Sequence, residues 1–171
     1  AHAAAYMIAA LRLGWYKVYK PLEFYATYFT VRGGDFDAEA AVKGKAFATR
    51  RMMDLKAKGN ERSVKEEDAY GSLQVLVEAL CRGIEFLPVD LYRSKATRYE
   101  PEEGKIRIPF AALKGLGGAA ATTLEEAGRQ GDYISVDDIG VRAGVGKGVL
   151  EMLETSGALE GLPKTSQITF F

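Results

Sequence analysis

Two glycine pairs, Gly115–Gly117 and Gly144–Gly146, stand directly before stretches whose apolar residues recur at helical spacing. Glycine permits positive φ and lets the backbone approach a ligand closely. Unpaired N–H groups at a helix N-terminus then attract an anion such as a phosphate. The chemistry these segments offer is anion binding by main-chain donors. The alternative is that the glycines only start a helix and bind nothing.

Two nucleotide-binding loops can be compared with these segments. The stretch from Gly115 to Ala120 satisfies the G-x-G-x-x-A pattern of dinucleotide-binding folds. That pattern follows a buried strand, whereas the preceding "PFAALK" predicts a short helix, and too little chain remains for a doubly wound sheet. "GVGKG" resembles the end of a P-loop, but Val141 replaces its first glycine and Gly148 its Ser or Thr. Neither nucleotide loop fits.

The segment from Leu113 to Gly117 has the pattern apolar-x-Gly-apolar-Gly, which is typical of a helix-hairpin-helix turn. The two leucines would anchor the turn in the core, and the free N–H groups would bind DNA phosphates without reading bases. The second turn repeats this arrangement less clearly. The predicted DNA-binding residues are Lys114, Gly115, Leu116, Gly117, Gly118, Gly144, Gly146 and Lys147.

Other residue types suggest little catalysis. Asp35 and Asp37 could bind a metal on one strand face, but Asp37 fits better as a helix N-cap. His2 is the sole histidine and Cys81 the sole cysteine, which excludes a Ser-His-Asp triad, a disulfide framework and cysteine-based metal sites. Cys81 lies in an apolar helical pattern and is predicted to be a small core residue.

The elements that must position the turns are mainly helical. Helices are predicted over residues 2–19, from Pro21, from Asp37 to Lys58, and after a Ser63–Glu66 capping box. Short β-like runs follow at "IEFLPVDLY" and "KIRIPF", with "EPEEG" as a turn. Helices then follow each glycine turn, and a short helix capped by Ser135 lies between them. The fold class is therefore mainly α with a small β-hairpin or sheet element, and residues from about 161 are predicted to form an exposed tail.

Composition sets limits on partners. The 171 residues are 47% hydrophobic and carry 23 basic and 23 acidic side chains, so no overall positive charge indicates a nucleic-acid binder. Neither a bilayer-spanning run nor a signal peptide is visible, which predicts no membrane partner. The first 99 residues hold 16 Lys and Arg against 12 Asp and Glu, whereas the glycine-rich remainder is mildly acidic. The chain begins in helical pattern without Met and is expected to be part of a longer protein.

The order of "AHAAAY", "YKVYKPLEFYATYFTVRGGDFD", "VDLYRSKAT", "IPFAALKGLG" and "LETSGALEGLP" resembles the C-terminal region of the PolC-type bacterial DNA polymerase III alpha subunit. The resemblance covers essentially the whole chain. It implies a helical fingers portion over 1–90, a duplex-binding domain with helix-hairpin-helix turns over 91–161, and a clamp-binding tail over 162–171. It also implies a bacterial, cytoplasmic location.

The resemblance assigns roles to three groups of residues. His2, Tyr6 and Lys17 share a helix face and become candidate contacts to the incoming dNTP. The tail residues Gln167, Ile168, Thr169, Phe170 and Phe171 correspond to a sliding-clamp peptide, usually glutamine-leucine-serine-leucine-phenylalanine, with Ile168 and Phe170 in place of leucines. The catalytic aspartates and Mg²⁺ would belong to a palm upstream, so this chain alone would not be catalytic.

Two other interpretations stay open from the residues alone. The chain could be a freestanding helix-hairpin-helix DNA-binding adaptor, or a clamp-interaction protein with no role on DNA. Coding sequence for a palm upstream of Ala1 would distinguish the polymerase fragment from both.

Overall fold

The computed structural model describes residues 2–165, and most of them are helical, with one small sheet. This confirms the predicted fold class. The helices are α1 His2–Tyr19, α2 Pro21–Arg32, α3 Ala38–Lys43, α4 Lys45–Ala57, α5 Val64–Cys81, α6 Gly118–Gly128, α7 Val136–Ala143 and α8 Lys147–Thr155. The strands are β1 Phe86–Leu87, β2 Glu100–Glu102 and β3 Lys105–Arg107.

The helix starts follow the capping residues read from the sequence. Asp37 accepts a hydrogen bond from the N–H of Ala40, and Ser63 and Glu66 form a reciprocal capping box at the start of α5. The single helix predicted from Asp37 to Lys58 is wrong, because Gly44 interrupts it. Gly44 has φ 87° and ψ −173°, a backbone conformation that only glycine adopts readily, so α3 ends and α4 begins in a new direction.

The three strands form one sheet in the order β1-β3-β2. Strand β1 pairs parallel with β3, and β2 pairs antiparallel with β3. The turn predicted over "EPEEG" is shorter than expected, since residues 100–102 are in β2 and only Glu103 and Gly104 make the turn, both at positive φ.

An aromatic cluster joins the sheet to the helices that precede it. The ring centroids of Phe29 and Phe36 are 4.8 Å apart, and those of Phe36 and Tyr99 are 5.0 Å apart. Phe86 of β1 lies 5.7 Å from Phe29. The hydrophobic core therefore runs continuously across residue 90, where the sequence predicts a domain boundary. That boundary stays a prediction, and no break in the core marks it.

The glycine-rich half packs as a compact group of short helices. Leu124 of α6, Ile139 of α7 and Leu153 of α8 are fully buried. In the predicted tail, Gly161 and residues 163–165 are exposed, while the carbonyls of Pro163 and Lys164 accept hydrogen bonds from the first turn of α7. Among residues 2–165, no helix combines the length and apolar character needed to cross a bilayer.

Candidate nucleic-acid interface

The first glycine turn is held by apolar residues on both sides. A 3-10 turn over Phe110–Ala112 precedes it, and Phe110 is fully buried. Leu116 is buried and Leu113 packs partly against the core, as the hairpin pattern predicts. Gly115 takes φ 96° between them, so the chain reverses there at a position that favours glycine.

The start of α6 presents unpaired donors at the surface. Gly117 is the N-cap residue and supplies no side chain to cap the helix. Within residues 2–165, the N–H groups of Gly118 and Ala119 make no hydrogen bond. Gly117, Gly118 and Ala119 are exposed, and a Cβ at either glycine would meet no atom within 4 Å. An anion can therefore approach these N–H groups directly, with the positive end of the helix dipole behind them.

The second turn has the same construction. Gly144 ends α7 in the left-handed conformation at φ 63°, and the N–H of Val145 donates to the carbonyl of Gly140. Gly146 then caps α8 without a side-chain bond. Gly146, Lys147 and Gly148 are all exposed. The two turns thus each place a glycine-capped helix N-terminus in solvent.

Close packing joins the two turns. A Cβ on Gly115 would lie 3.0 Å from Cε of Met152 in α8, so the first turn packs against α8. A Cβ on Gly140 would lie 3.4 Å from Leu150 Cδ1, which shows how closely α7 and α8 approach. The sequence gives no signal for the Gly115–Met152 contact, because it joins residues far apart in the chain.

One exposed lysine lies beside each glycine turn. Lys114 is exposed next to Gly115, and the Lys147 side chain is 90% exposed, with its ammonium 3.7 Å from Glu151. Exposed pairs of this kind contribute little to stability, so Lys147 stays able to turn toward another anion. The groups next to the turns that can bind phosphate are the main-chain donors and these two lysines, and Lys43, Arg51 and Lys58 line the same cavity as Gly115.

Of the three predicted nucleotide contacts, His2 and Tyr6 come together and Lys17 lies apart from them. His2 and Tyr6 stack edge-to-face with ring centroids 4.7 Å apart near the start of α1, and Tyr6 is 66% exposed. Lys17 lies about 16 Å further along the helix. Its ammonium is 2.7 Å from Glu78 Oε1, and Arg82 donates to its backbone carbonyl. Lys17 therefore anchors α1 on α5.

The other candidate residues do not form a metal or catalytic site in the described part of the chain. Asp37 caps α3 and lies 3.2 Å from Arg51, so its carboxylate is already paired. Within residues 2–165, no group of three or more His, Cys, Asp or Glu side chains is placed to hold a metal ion. Cys81, predicted to be buried, is exposed at the end of α5. The tail residues Gln167 to Phe171 lie outside the described residues.

The sequence of the chain matches a helix-hairpin-helix family and is similar to that of known proteins. Residues 83–167 match the family described as "Helix-hairpin-helix motif", a range that contains both glycine turns. Over 170 residues the chain is 43% identical to DNA polymerase III PolC-type of Clostridium perfringens. The chain is homologous to a segment of PolC-type DNA polymerase III. The Bacillus subtilis and Thermotoga petrophila proteins of that name are 40% and 39% identical to it over 171 residues.

The match covers nearly all of this chain but only a small part of each relative. It covers 99% of this chain with the Clostridium protein and 100% with the other two, but only 12% of each PolC-type polymerase. The chain spans about one eighth of the length of these curated relatives. The similarity therefore covers nearly all of this chain and a small part of each relative.

Proposed function

We propose that this chain is the part of a replicative DNA polymerase that grips the primer–template duplex. The observation that supports this most directly is the pair of exposed, glycine-capped helix N-termini at Gly117 and Gly146, set in one compact unit. Main-chain N–H groups bind phosphate oxygens whatever the base sequence. A polymerase needs this kind of grip, since it must move along every sequence it copies.

The net charge of zero limits how strongly the chain as a whole attracts DNA. Bulk electrostatic attraction is weak, because 23 basic side chains balance 23 acidic ones. Affinity then comes from a few local contacts, and Lys114 and Lys147 each add a cation beside a turn. Phosphoryl transfer itself is assigned to a palm outside this chain, where Mg²⁺ would supply the Lewis-acid chemistry. We assign the polymerase to the bacterial cytoplasm.

A second part of the proposal places α1 near the incoming dNTP. The stacked His2 and Tyr6 rings offer an exposed aromatic surface on which a base could stack. Lys17 is retained as a candidate from the family resemblance, although its ion pair with Glu78 makes it a weaker one. In the intact polymerase, Tyr6→Ala should raise KM for dNTP more than it lowers duplex affinity; an unchanged KM would refute this role.

A third part assigns Gln167 to Phe171 to sliding-clamp binding. It is supported by the sequence alone, in which a glutamine precedes a spaced apolar pair and a terminal phenylalanine. Such short peptides place aromatic side chains in a partner's apolar pocket. Deleting these five residues should abolish association with the clamp and leave duplex affinity unchanged. Clamp binding by the truncated chain would contradict the assignment.

Duplex binding is tested by a salt titration on the 171-residue chain. We expect the affinity for a primed duplex to fall linearly with salt on a log–log plot, with a slope of about −0.9 for each phosphate contacted. Gly117→Val should reduce affinity and make the slope shallower, because the new side chain occupies open space next to the residues that carry the donors. The backbone at Gly117 has φ −73°, so valine fits without strain there.

Gly71→Val is the matched control. It also adds a valine side chain at a glycine with open space, but inside helix α5. It should leave both the affinity and the slope unchanged. A salt-independent affinity for the unmodified chain, or equal binding by Gly117→Val, would exclude duplex binding through the first turn.

A further inference from the structure

Arg142 lies on α7 between the two glycine turns, and its guanidinium reaches back to the end of α6. Nη2 donates to the carbonyls of Ala127 at 2.6 Å and Gly131 at 2.9 Å. Nη1 donates to the carbonyl of Asp132 at 3.0 Å. A guanidinium presents its donors in one rigid plane, so it can hold three carbonyls in a fixed arrangement that a lysine ammonium does not reproduce. Arg142 therefore fastens the segment that joins α6 to α7.

Neighbouring side chains hold Arg142 itself in place. Its guanidinium carbon lies 4.3 Å from the centroid of the Tyr133 ring, and Nη1 is 3.4 Å from Oδ2 of Asp138 one turn earlier. The Arg142 side chain is 21% exposed. The backbone N–H of Tyr133 in turn donates to the hydroxyl of Tyr92. A surface arginine that only increased solubility would not need this many partners.

Helix α6 is thus attached to α8 at one end and to α7 at the other. At its N-terminal end, Gly115 rests against Met152 of α8. At its C-terminal end, Arg142 of α7 holds Ala127 and the residues that follow. Two residues after Arg142, Gly144 begins the second turn. These two attachments act together with the buried packing of Leu124, Ile139 and Leu153 to hold the donors on α6 in one direction relative to those on α8.

We propose that Arg142 is a positioning residue that holds the two glycine turns in the geometry needed to bind phosphates of the same duplex. This inference rests on the proposed duplex grip. When two sites are fixed in the right geometry on one molecule, they bind a rigid ligand with higher affinity than two independently moving sites do. Arg142 contributes that gain without touching DNA.

The geometry is tested first without DNA. Spin labels are attached to cysteines introduced by Thr122→Cys on α6 and Glu154→Cys on α8, both exposed positions, in a chain carrying Cys81→Ser. Pulsed dipolar spectroscopy, with the labelled chain diluted in unlabelled chain, then measures the distribution of distances within one molecule. We expect one narrow distance with Arg142 present and a broad distribution after Arg142→Met. An equally narrow distribution after the substitution would overturn the proposal.

The binding experiment compares Arg142→Met and Arg142→Lys with the unmodified chain. We expect both variants to bind the duplex about tenfold more weakly, with a salt slope shallower by about 0.9 for each phosphate that the variant no longer touches. Lysine keeps the positive charge, so full binding by Arg142→Lys would show that charge alone matters and would overturn the positioning role. Circular dichroism confirms that each variant keeps its helices.

A double-mutant cycle with Gly146→Val completes the test. If Arg142 couples the turns, Gly146→Val should cost much less affinity in the Arg142→Met background than in the unmodified chain. Equal costs in both backgrounds would contradict the coupling. If the unmodified chain binds no duplex, the proposed function fails, and the spin-label distances still decide whether Arg142 fixes the turns.

Discussion

Arg107 is a nearly buried arginine whose guanidinium makes two hydrogen bonds to Glu102. Its Nε is 2.8 Å from Oε2 and its Nη2 is 2.6 Å from Oε1, while Nη1 donates to the carbonyl of Pro88. The pair joins β2 to β3 and fastens both to the residues after β1. The Arg107 hydrogen bonds, aided by Arg93, lower the pKa of Glu102 to about 2, against the partial burial of the carboxyl.

This pKa predicts how stability changes with pH. Because the folded-state pKa lies below the unfolded value, the pair stabilises the fold above about pH 4.5. That contribution is lost as the pH falls from about 4.5 toward 2. Glu102→Gln should cost about 2 kcal/mol at pH 7, since it leaves the guanidinium of Arg107 without its ion pair.

Urea unfolding of both chains at pH 7 and pH 2.5 measures the difference. The stability gap between Glu102→Gln and the unmodified chain should narrow at the lower pH. Other carboxyls also titrate in this range, such as Glu66, whose pKa Lys58 and Ser63 lower to about 2, and taking the difference cancels them. A gap that stays constant with pH would show that the ion pair does not carry this dependence.

At the scale of elements, the sequence predicts best what local chemistry decides. The capping box at Ser63, the cap at Asp37 and the glycine turns are each determined by residues within one turn of chain. The first helix-hairpin-helix turn could therefore be predicted from the pattern of Leu113, Gly115, Leu116 and Gly117, and residues 83–167 match that motif. Its two anchoring leucines followed from the same pattern.

Contacts between distant residues were not predictable in this way. Strand β1 has only two residues, and its parallel pairing with β3 depends on the aromatic core beneath it. The same holds for Pro163 and Lys164 against α7, and for Arg142, which the sequence shows only as one end of a helical pair with Asp138. These features arise when tertiary packing brings separate segments together.

The break between α3 and α4 gives a prediction with an internal control. Gly44 has φ 87° and open space around its Cβ position, so Gly44→Ala adds backbone strain and no clash. We expect it to destabilise the fold by about 2 kcal/mol. Gly71→Ala, at a glycine inside α5 with open space, should stabilise it by about 0.5–1 kcal/mol.

Urea unfolding of the two variants measures both signs in one assay. A stabilising Gly44→Ala would mean that α3 and α4 form one continuous helix, as the sequence first suggested. The far-UV spectrum, which reports helix content, separates that outcome from a change in packing elsewhere.

At the scale of the whole molecule, α1 is unusual because none of its residues is buried within the described chain. Its C-terminal end is held to α5, because Lys17 pairs with Glu78 and Arg82, the C-cap residue of α5, donates to the Lys17 carbonyl. Its large apolar side chains face solvent. The exposed fraction is 68% for Leu11, 62% for Val18 and 51% for Trp15. A contiguous apolar surface of this kind normally marks an interaction site. It is consistent with a segment that covers only 12% of its relatives.

This surface predicts that the 171-residue chain self-associates in solution. Apolar area is removed from water when two such helices pair, and the gain increases with the area covered. Leu11→Glu combined with Val18→Glu should therefore restore a monomer, which sedimentation equilibrium over a range of concentrations measures. Val31→Glu combined with Val64→Glu is the control, because these valines are 72% and 82% exposed but lie on other helices. Association that persists in the α1 variant, or is lost equally in the control, would show that α1 is not the surface responsible.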